Sequence, residues 1–266
     1  MNLKTDKVFL SELLEESFLK YNNKKFIVDD PISIPHNFTK KQDIEISAFL
    51  TATIAWGQRK TILANAIKLM RCMDNSPHDF IANCTTADLA SFKKFIHRTF
   101  NGDDCVHFIG ALKKIYAHHG GLEKIMKDAY GVNDTNLVNG ITALRKVFFE
   151  SRHQQRTQKH FANPLKNSSC KRINMFLRWM IRRDNAGVDF GLWDLSPSLL
   201  LCPLDVHSGR IARELGLLTR TQDDLKAVIE LTNALKEFDE TDPVKYDFAL
   251  FGLGIDQKYG QLLNKL

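Results

Sequence analysis

The sequence predicts an all-α protein. Apolar residues recur at three- and four-residue spacing along most of the chain, strand-like runs are few, and typical helix-start residues precede several of the periodic segments. The apolar stripes run from Ile46 to Ile54, Ile62 to Met73, Phe108 to Tyr116, Leu137 to Phe148, Ile173 to Ile181 and Leu225 to Leu235.

The N-terminal part opens with MNLKTDKVFLSELLEES, where Leu and Phe alternate with acidic residues as in an ordinary first helix. The segment KKFIVDD near residue 24 is a strand candidate. Residues 28–40 contain two prolines and predict a loop that leads into a helix at Asp43. Between the first two apolar stripes, Gly57 is expected to break or bend the chain.

The second half of the chain contains one long polar and basic segment, residues 151–170, with little periodicity. A loop of this length inside a domain is usually functional or disordered. SLLLCPL near residue 198 is a second strand candidate. The pair Asp242–Pro243 predicts the start of a final helix, with an acid at the cap and proline in the first turn, and Gly252 and Gly254 are expected to end it.

Several classes of protein are disfavoured by composition. No apolar run approaches the roughly 18 residues that span a bilayer, and the start lacks the apolar block of a signal peptide. We therefore expect a cytoplasmic protein with no membrane partner. Its five scattered cysteines form no CxxC pair, and His118–His119 has no third ligand at metal-like spacing. We expect reduced thiols, no bound metal and no cofactor.

Positive charge is concentrated in one stretch. Residues 151–183 contain nine Lys and Arg and no acid, whereas the rest of the chain sums to −3 within a net charge of +6. A basic face that is merely exposed to solvent would usually contain both positively and negatively charged side chains. A polyanion partner is the better interpretation, because phosphate neutralisation with counterion release rewards such a local excess.

Two helix-start residues could carry chemistry. The segment SSCKRI predicts a serine-capped helix with Lys171 in its first turn, where the positive end of the helix dipole disfavours an ammonium and so favours an amine nucleophile. In CPLDVHSGR, Asp205 opens the next helix, and a carboxylate there could stabilise the positive charge of glycosidic cleavage. Each residue also has a plain interpretation: Lys171 fits a surface lysine at a helix start, and Asp205 fits an N-cap aspartate.

Three segments together resemble the helix-hairpin-helix DNA glycosylase superfamily. PLDVHSGRIARELGL is similar to the family's V-D-x-H-x-x-R-x-x-x-R-L-G-L segment, which contains its catalytic aspartate. CKRINMFLRWM takes the place of the helix that starts with its Schiff-base lysine, and EISAFLTATIAWGQR resembles its early helix. Their order is the family order, and they cover most of residues 43–255.

The resemblance extends to an uncharacterised bacterial family that shares A-F-L-x-A-x-I-A-W-G-x-R, K-R-x-N-M-F-L-R-W-M and D-P-V-K-Y-D-F-A-L-F-G-L-G. Among characterised proteins the chain looks most like the archaeal 8-oxoguanine DNA glycosylase branch, which also lacks an iron–sulfur cluster. The resemblance implies a two-lobed helical bundle with the active site between the lobes. Within one unit, 1–266, we expect lobes at 43–150 and 165–255, with 1–42 and the C-terminus packed on them.

The function implied by the resemblance is DNA repair. The protein would be a monomeric DNA glycosylase and AP lyase that removes an oxidised purine from double-stranded DNA, with the damaged base flipped out, and it would associate with the bacterial nucleoid when bound. Lys171 would form the Schiff base and Asp205 would stabilise the developing charge. Trp56, Gln58 and Arg59 are candidates for the base pocket, since an aromatic face stacks on a flipped base, although Trp56 could equally be a core residue.

Further site residues follow from the same comparison. Phe190 and Trp193 would wall the pocket or insert into the base stack, although GVDFGLW also fits a buried turn. The residues expected to contact the DNA backbone are Lys166, Ser168, Ser169, Arg172, Arg178, Arg182, Arg183, His207 and Arg210.

One departure from the family pattern keeps other functions open. The family's glycine-rich hairpin turn, L-P-G-x-G-x-K, is absent, and NPLKNSSCK stands in its place. Backbone N–H groups that grip a phosphate must then come from a differently shaped turn. The alternatives are a non-catalytic helical nucleic-acid-binding protein on the same scaffold and a helical enzyme that acts on RNA or nucleotides.

Overall fold

The computed structural model of the protein describes residues 6–255, and the regular elements in this range are all helices. The predicted all-α class is confirmed. No strand forms within residues 6–255, where only isolated bridges occur, at His97–Phe100, Ser168–Asp224 and Arg183–Phe190. None of the helices in this range combines the length and apolar character needed to cross a membrane.

Twelve α-helices are present in the described range. They are α1 (Lys7–Tyr21), α2 (Lys24–Asp29), α3 (Lys41–Thr53), α4 (Arg59–Cys72), α5 (Pro77–Asn83), α6 (Gly102–His118), α7 (Leu122–Asp128), α8 (Val138–Phe148), α9 (Lys171–Ile181), α10 (Val206–Glu214), α11 (Leu225–Lys236) and α12 (Asp247–Ile255). Short 3-10 helices occupy Pro31–Ser33, Pro35–Asn37, Asp88–Lys94, Gln155–His160, Pro164–Lys166, Pro197–Leu199 and Pro243–Tyr246.

The chain divides into two compact units. The central unit is Ile27–Leu165, and the terminal unit combines the chain up to Phe26 with the chain from Lys166 onward. The N-terminal helix therefore folds with the C-terminal half of the chain, where α1 packs against α12.

The central unit is built around α3, in which every residue from Ile44 to Thr53 is buried. A helix buried on all sides lies at the centre of its core. Phe49 of α3 meets Phe148 of α8 with 5.6 Å between ring centroids, and Phe148 meets Phe108 of α6 at 4.6 Å. These edge and tilted contacts are the arrangements that aromatic rings prefer.

The terminal unit places α9 in its interior. Eight of the eleven residues of α9 are buried, and Phe176 meets the fully buried Trp193 at 5.4 Å and 84°. α10 packs against α12 in the same unit. As a result, the first residues of α9 and α10 are held by a packed helical core.

Both strand candidates are wrong. KKFIVDD forms the short helix α2, because the Asn23 side chain accepts the backbone N–H of Lys25 and Phe26 N–H bonds the Asn23 carbonyl, which starts a helical turn. In the run SLLLCPL, Ser198 and Leu199 end the 3-10 helix Pro197–Leu199, where the Ser196 hydroxyl accepts the N–H of Ser198, and residues 200–204 form no regular element. In KKFIVDD, local capping thus outweighs the strand propensity of the apolar residues.

The predicted end of the final helix is also wrong. α12 continues through Gly252 and Gly254 to Ile255, after a 3-10 turn over Pro243–Tyr246. Gly252 lies where α12 meets α1: a Cβ atom there would sit 1.9 Å from Cδ2 of Tyr21. This glycine permits close helix packing, and it does not terminate the helix. Gly57, by contrast, bends the chain as predicted, with φ of +103°.

Candidate functional site

Lys171 and Asp205 come together in the terminal unit. Lys171 is the first residue of α9, Asp205 caps α10, and Nζ of the lysine lies 2.9 Å from Oδ2 of the carboxylate. The two side chains are 37% and 22% exposed. The pair is therefore held by two packed helices and is still accessible from solvent.

Asp205 is fixed by its capping interactions. Its Oδ1 accepts the N–H groups of His207 and Ser208, each at 2.9 Å, while the Ser208 hydroxyl accepts the N–H of Asp205 at 2.9 Å. This reciprocal capping box leaves Oδ2 directed at Lys171. Burial alone would raise the pKa of Asp205, but attraction to Lys171 and the bonds from Ser208 outweigh it and hold the pKa below its usual value.

The turn before Lys171 is not the predicted serine cap. The cap position of α9 is Cys170, a buried residue in the left-handed region with φ of +52°. The hydroxyl of Ser168 accepts the N–H of Cys170 at 3.3 Å, and the carbonyl of Ser169 accepts the Asn174 side-chain amide at 3.1 Å. The two serines thus stabilise the turn before the cap position, and neither of them is the N-cap residue of α9.

This turn is anchored on the start of α11. Asn167, a second left-handed residue with φ of +58°, donates its side-chain amide to Asp224 at 2.8 Å, and its carbonyl accepts the N–H of Leu225 at 3.1 Å. Asn tolerates this conformation better than most residues. Hydrogen bonds to Asp224, above all from the Arg220 side chain, lower the pKa of that carboxyl. The chain therefore makes the turn with Asn167 and Cys170 in left-handed conformations.

The assignment of Arg178 and Arg182 to DNA contacts is wrong, because both residues are buried, at 4% and 2% exposure. Arg178 bonds Asp189 through Nε at 3.2 Å and Asp247 through Nη1. Arg182 bonds Asp189 at 3.0 Å and Asp242 at 2.8 Å. Buried charges need such partners. These arginines hold the core of the terminal unit together.

The other predicted backbone contacts have varied surroundings. Lys166, Arg183, His207 and Arg210 are exposed, and Ser168 and Ser169 are half-buried. Arg172 is half-buried, and its burial lowers the pKa of the guanidinium to about 10. Arg210 forms an ion pair with Glu214 at 2.9 Å one turn along α10.

Of the aromatic residues between α9 and Asp205, Trp193 is fully buried, so its assignment to a pocket wall or a base-stack wedge is wrong. Its backbone N–H bonds the carbonyl of Met180, and that of Phe190 bonds the carbonyl of Trp179. Phe190 itself is half-buried. The connection is thus a turn packed on α9, the second interpretation of GVDFGLW.

Trp56, Gln58 and Arg59 belong to the central unit. Trp56 is half-buried, with its ring edge-on to His97 at 4.8 Å and stacked on His160 at 5.7 Å. Gln58 and Arg59 are exposed at the start of α4. The residues offer an aromatic ring beside polar and cationic groups, which is the chemistry that a nucleobase requires.

The sequence interpretation missed the acids that neutralise α9. Asp189 and Asp247 bond Arg178 of that helix, and Asp242 bonds Arg182, the residue that follows it. One signal was available: Arg178 and Arg182 lie within the most apolar part of the helix, RWMIR, where a charged residue facing the core requires a partner.

The part of the chain that the structure describes contains no group of three or more His, Cys, Asp and Glu side chains arranged to hold a metal ion. All five cysteines are free thiols.

Comparison with known proteins gives one family. No curated protein and no solved structure matches the chain. A family model described as "Protein of unknown function (DUF2400)" matches residues 30–256, which is well over half of the 266 residues and includes both Lys171 and Asp205. The chain therefore belongs to the DUF2400 family.

Proposed function

We propose that this protein is a DNA glycosylase with AP lyase activity that removes an oxidised purine such as 8-oxoguanine. The observation that carries the proposal is the ion pair in which Nζ of Lys171 lies 2.9 Å from the carboxylate of Asp205, at the accessible starts of two helices. A lysine nucleophile beside a carboxylate is the pair that the chemistry needs. The resemblance of the surrounding segments to helix-hairpin-helix glycosylases supports the same reaction.

The first step breaks the bond between sugar and base. Lys171 passes one proton by way of Asp205, 2.9 Å away, to water, which leaves a neutral amine beside an ionised carboxylate. Its lone pair forms the bond to C1′ while the C1′–N9 bond breaks, and that electron pair leaves with the base, which takes up a proton. The Asp205 carboxylate stabilises the positive charge that develops on the sugar.

The second step opens the sugar and cuts the strand. The amine attached to C1′ loses a proton as the ring C1′–O4′ bond opens, which leaves an iminium ion, the Schiff base, and a protonated O4′. Loss of a C2′ proton then expels the 3′ phosphate by β-elimination. Water finally hydrolyses the imine and restores the Lys171 amine.

Substrate binding would require a nucleotide to leave the base stack. A flipped nucleotide costs about a few kcal/mol of unstacking, and less at a damaged or mispaired base. In the central unit, Trp56 would stack on the base, and Gln58 and Arg59 would contact its edge. In the terminal unit, the residues proposed to hold the DNA backbone are Lys166, Ser168, Ser169, Arg172, Arg183, His207 and Arg210, with Phe190 beside the base.

The test is covalent trapping. The protein is incubated with labelled duplexes that carry 8-oxoguanine or an abasic site, and borohydride reduces any imine to a stable amine. We expect an adduct with the wild type and none with Lys171→Ala. The matched control is Lys226→Ala, which removes an exposed lysine from α11 of the same unit and should leave the adduct unchanged. Absence of any adduct with the wild-type protein would refute the proposal.

A second function is supported by the same contact. An ion pair between the starts of α9 and α10 is also a structural link, and Asp205 caps α10 whether or not it takes part in catalysis. The chain could then be a non-catalytic nucleic-acid-binding protein. Tight binding of the abasic duplex with no adduct identifies this function, and stronger binding to RNA than to DNA identifies an RNA-acting protein.

A further inference from the structure

The central unit has a basic surface of its own. Residues 46–73 contain no acidic residue, and Arg59 and Lys60 are exposed at the start of α4. The hairpin at His97–Phe100 contributes a third exposed cation, Arg98. We call Trp56, Gly57, Arg59, Lys60 and Arg98 the Arg98 surface.

The hairpin is anchored against the turn that follows α3. His97 is buried, its Nε2–H donates to the carbonyl oxygen of Trp56 at 3.1 Å, and its Nδ1 pairs with the side-chain amide of Asn65 on α4 at 2.9 Å. The His97 ring also packs edge-on against the Trp56 ring. These contacts fix the position of the next residue, Arg98, relative to Trp56.

Arg98 has an unusual backbone conformation. Its φ is +54°, a left-handed value that costs a residue with a Cβ atom free energy. Its side chain lies over Gly57, where a Cβ atom would sit 2.8 Å from Nη1 of the guanidinium, and Gly57 itself has φ of +103°. Two left-handed residues thus keep the side chain of an exposed arginine against Gly57, the residue that follows Trp56. Strain of this kind is concentrated at functional sites.

Two acids follow the hairpin: Asp103 is exposed and accepts the side-chain amide of Gln154 at 2.9 Å, and Asp104 is its neighbour. Asp104 is completely buried, and its carboxylate accepts bonds from Arg156 at 2.7 Å and Thr157 at 2.8 Å. Arg156 also donates to the carbonyl of Thr99 at 2.6 Å, next to Arg98. Asp104 is therefore neutralised locally by Arg156, and the exposed acid next to the hairpin is Asp103.

We propose that Arg98 binds a DNA phosphate and that the Arg98 surface is where the central unit contacts the DNA duplex. A guanidinium matches the geometry of phosphate oxygens and can bond two of them at once. Trp56 supplies the aromatic ring that favours a neighbouring unstacked base. The inference rests on the proposed function in that DNA is the partner, but Arg98 itself has no part in the chemistry at Lys171 or in contact with the flipped base.

The experiment uses Arg98→Gly, because glycine adopts φ of +54° without cost. The variant should be at least as stable to heat as the wild type and still bind DNA less well. A residue with a merely structural role would behave in the opposite way. The matched control is Arg71→Ala, an exposed arginine in the last turn of α4, about 18 Å along the helix axis from Arg59.

Binding is measured by fluorescence anisotropy with a labelled duplex that carries a tetrahydrofuran abasic analogue, over a series of salt concentrations. We expect the Kd of Arg98→Gly to rise about tenfold and the slope of log K against log salt to fall by about one, as for the loss of one phosphate contact. Arg71→Ala should change neither. Arg98→Lys should recover part of the affinity.

The outcomes separate this proposal from the proposed function. Wild-type affinity in Arg98→Gly, or an equal loss in Arg71→Ala, overturns the Arg98 surface even when borohydride traps an adduct. A selective loss in Arg98→Gly supports it even when no adduct forms. If the wild type shows no affinity for the duplex at low salt, both proposals fail. If Arg98→Gly lowers the affinity for RNA and leaves the affinity for duplex DNA unchanged, the proposed contact with duplex DNA is also overturned.

Discussion

Asp205 meets Lys171 through one carboxylate oxygen and caps α10 through the other. Oδ2 lies 2.9 Å from Nζ of Lys171, whereas Oδ1 accepts the N–H groups of His207 and Ser208. The cap orients the carboxylate before any substrate binds, and preorganised charge of this kind is effective in catalysis. The capping role of Asp205 and its proposed chemical role can therefore be separated by substitution.

Replacement of Asp205 by Asn and by Ala should affect stability and chemistry differently. Asn caps a helix as well as Asp does, whereas Ala loses the cap, so Asp205→Ala should be less stable than Asp205→Asn by about 1 kcal/mol in urea denaturation. Both variants lack the negative charge, so both should form the borohydride adduct far more slowly than the wild type. An adduct rate near the wild-type value in Asp205→Asn would show that the charge is not needed.

The buried arginines Arg178, in α9, and Arg182, the residue that follows this helix, should matter for folding. Arg182→Gln removes a partner from both Asp189 and Asp242, to which Arg182 is bonded at 3.0 and 2.8 Å. Loss of one member of a buried ion pair costs about 3–5 kcal/mol. The control is Arg183→Gln at the next, exposed residue, where we expect a change within about 0.5 kcal/mol. Equal denaturation midpoints for the two variants would contradict the assignment.

The same arginines show what sequence periodicity could and could not predict. The apolar stripe from Ile173 to Ile181 predicted α9, since helix formation follows local spacing. The partners of Arg178 and Arg182 could not be predicted in this way, because Asp247 and Asp242 lie 69 and 60 residues further along the chain. The run of positive charge therefore suggested a basic surface, although Arg178 and Arg182 within it belong to a buried network of ion pairs.

Lys171 and Asp205 present the opposite case. They lie 34 residues apart, and each alone fits a plain helix-start residue. Only the resemblance to the glycosylase superfamily linked them, and the structure places them in contact. The turn before Lys171 was beyond prediction in detail, because the left-handed conformations of Asn167 and Cys170 depend on the contact with the start of α11.

Asp247 should give the protein a specific pH dependence. Burial raises the pKa of Asp247 to about 6 although Arg178 is bonded to it. The folded chain therefore holds this proton more tightly than the unfolded chain, in which the pKa is about 4. Protonation of Asp247 therefore raises the free energy of unfolding as the pH falls from about 7 to about 4.

The measurement compares the wild type with Asp247→Asn, which cannot titrate at this position. The free energy of unfolding of the wild type should rise relative to that of the variant as the pH is lowered through about 6. Other carboxyls titrate in both proteins and cancel in the difference. Parallel pH profiles for the two proteins would show that Asp247 has an ordinary pKa in the folded state.

Gly252 sets how closely α12 can approach α1. A Cβ atom at this position would lie 1.9 Å from Cδ2 of Tyr21, so Gly252→Ala must push the ring or the helices apart, at a cost of about 1–3 kcal/mol. The control is Gly110→Ala in α6, where no heavy atom of the described residues lies within 4 Å of the new methyl group; this variant should gain about 0.5–1 kcal/mol.

A double variant identifies the cause of the loss at Gly252. If the clash with Tyr21 is responsible, Gly252→Ala should cost less in a Tyr21→Ala background than in the wild type, because the added methyl group then occupies the space that the ring has left. The coupling is measured by urea denaturation of the four proteins of the cycle. Strictly additive effects would mean that glycine is needed for the conformation of α12 itself, and the close contact between the two helices would then not explain its presence.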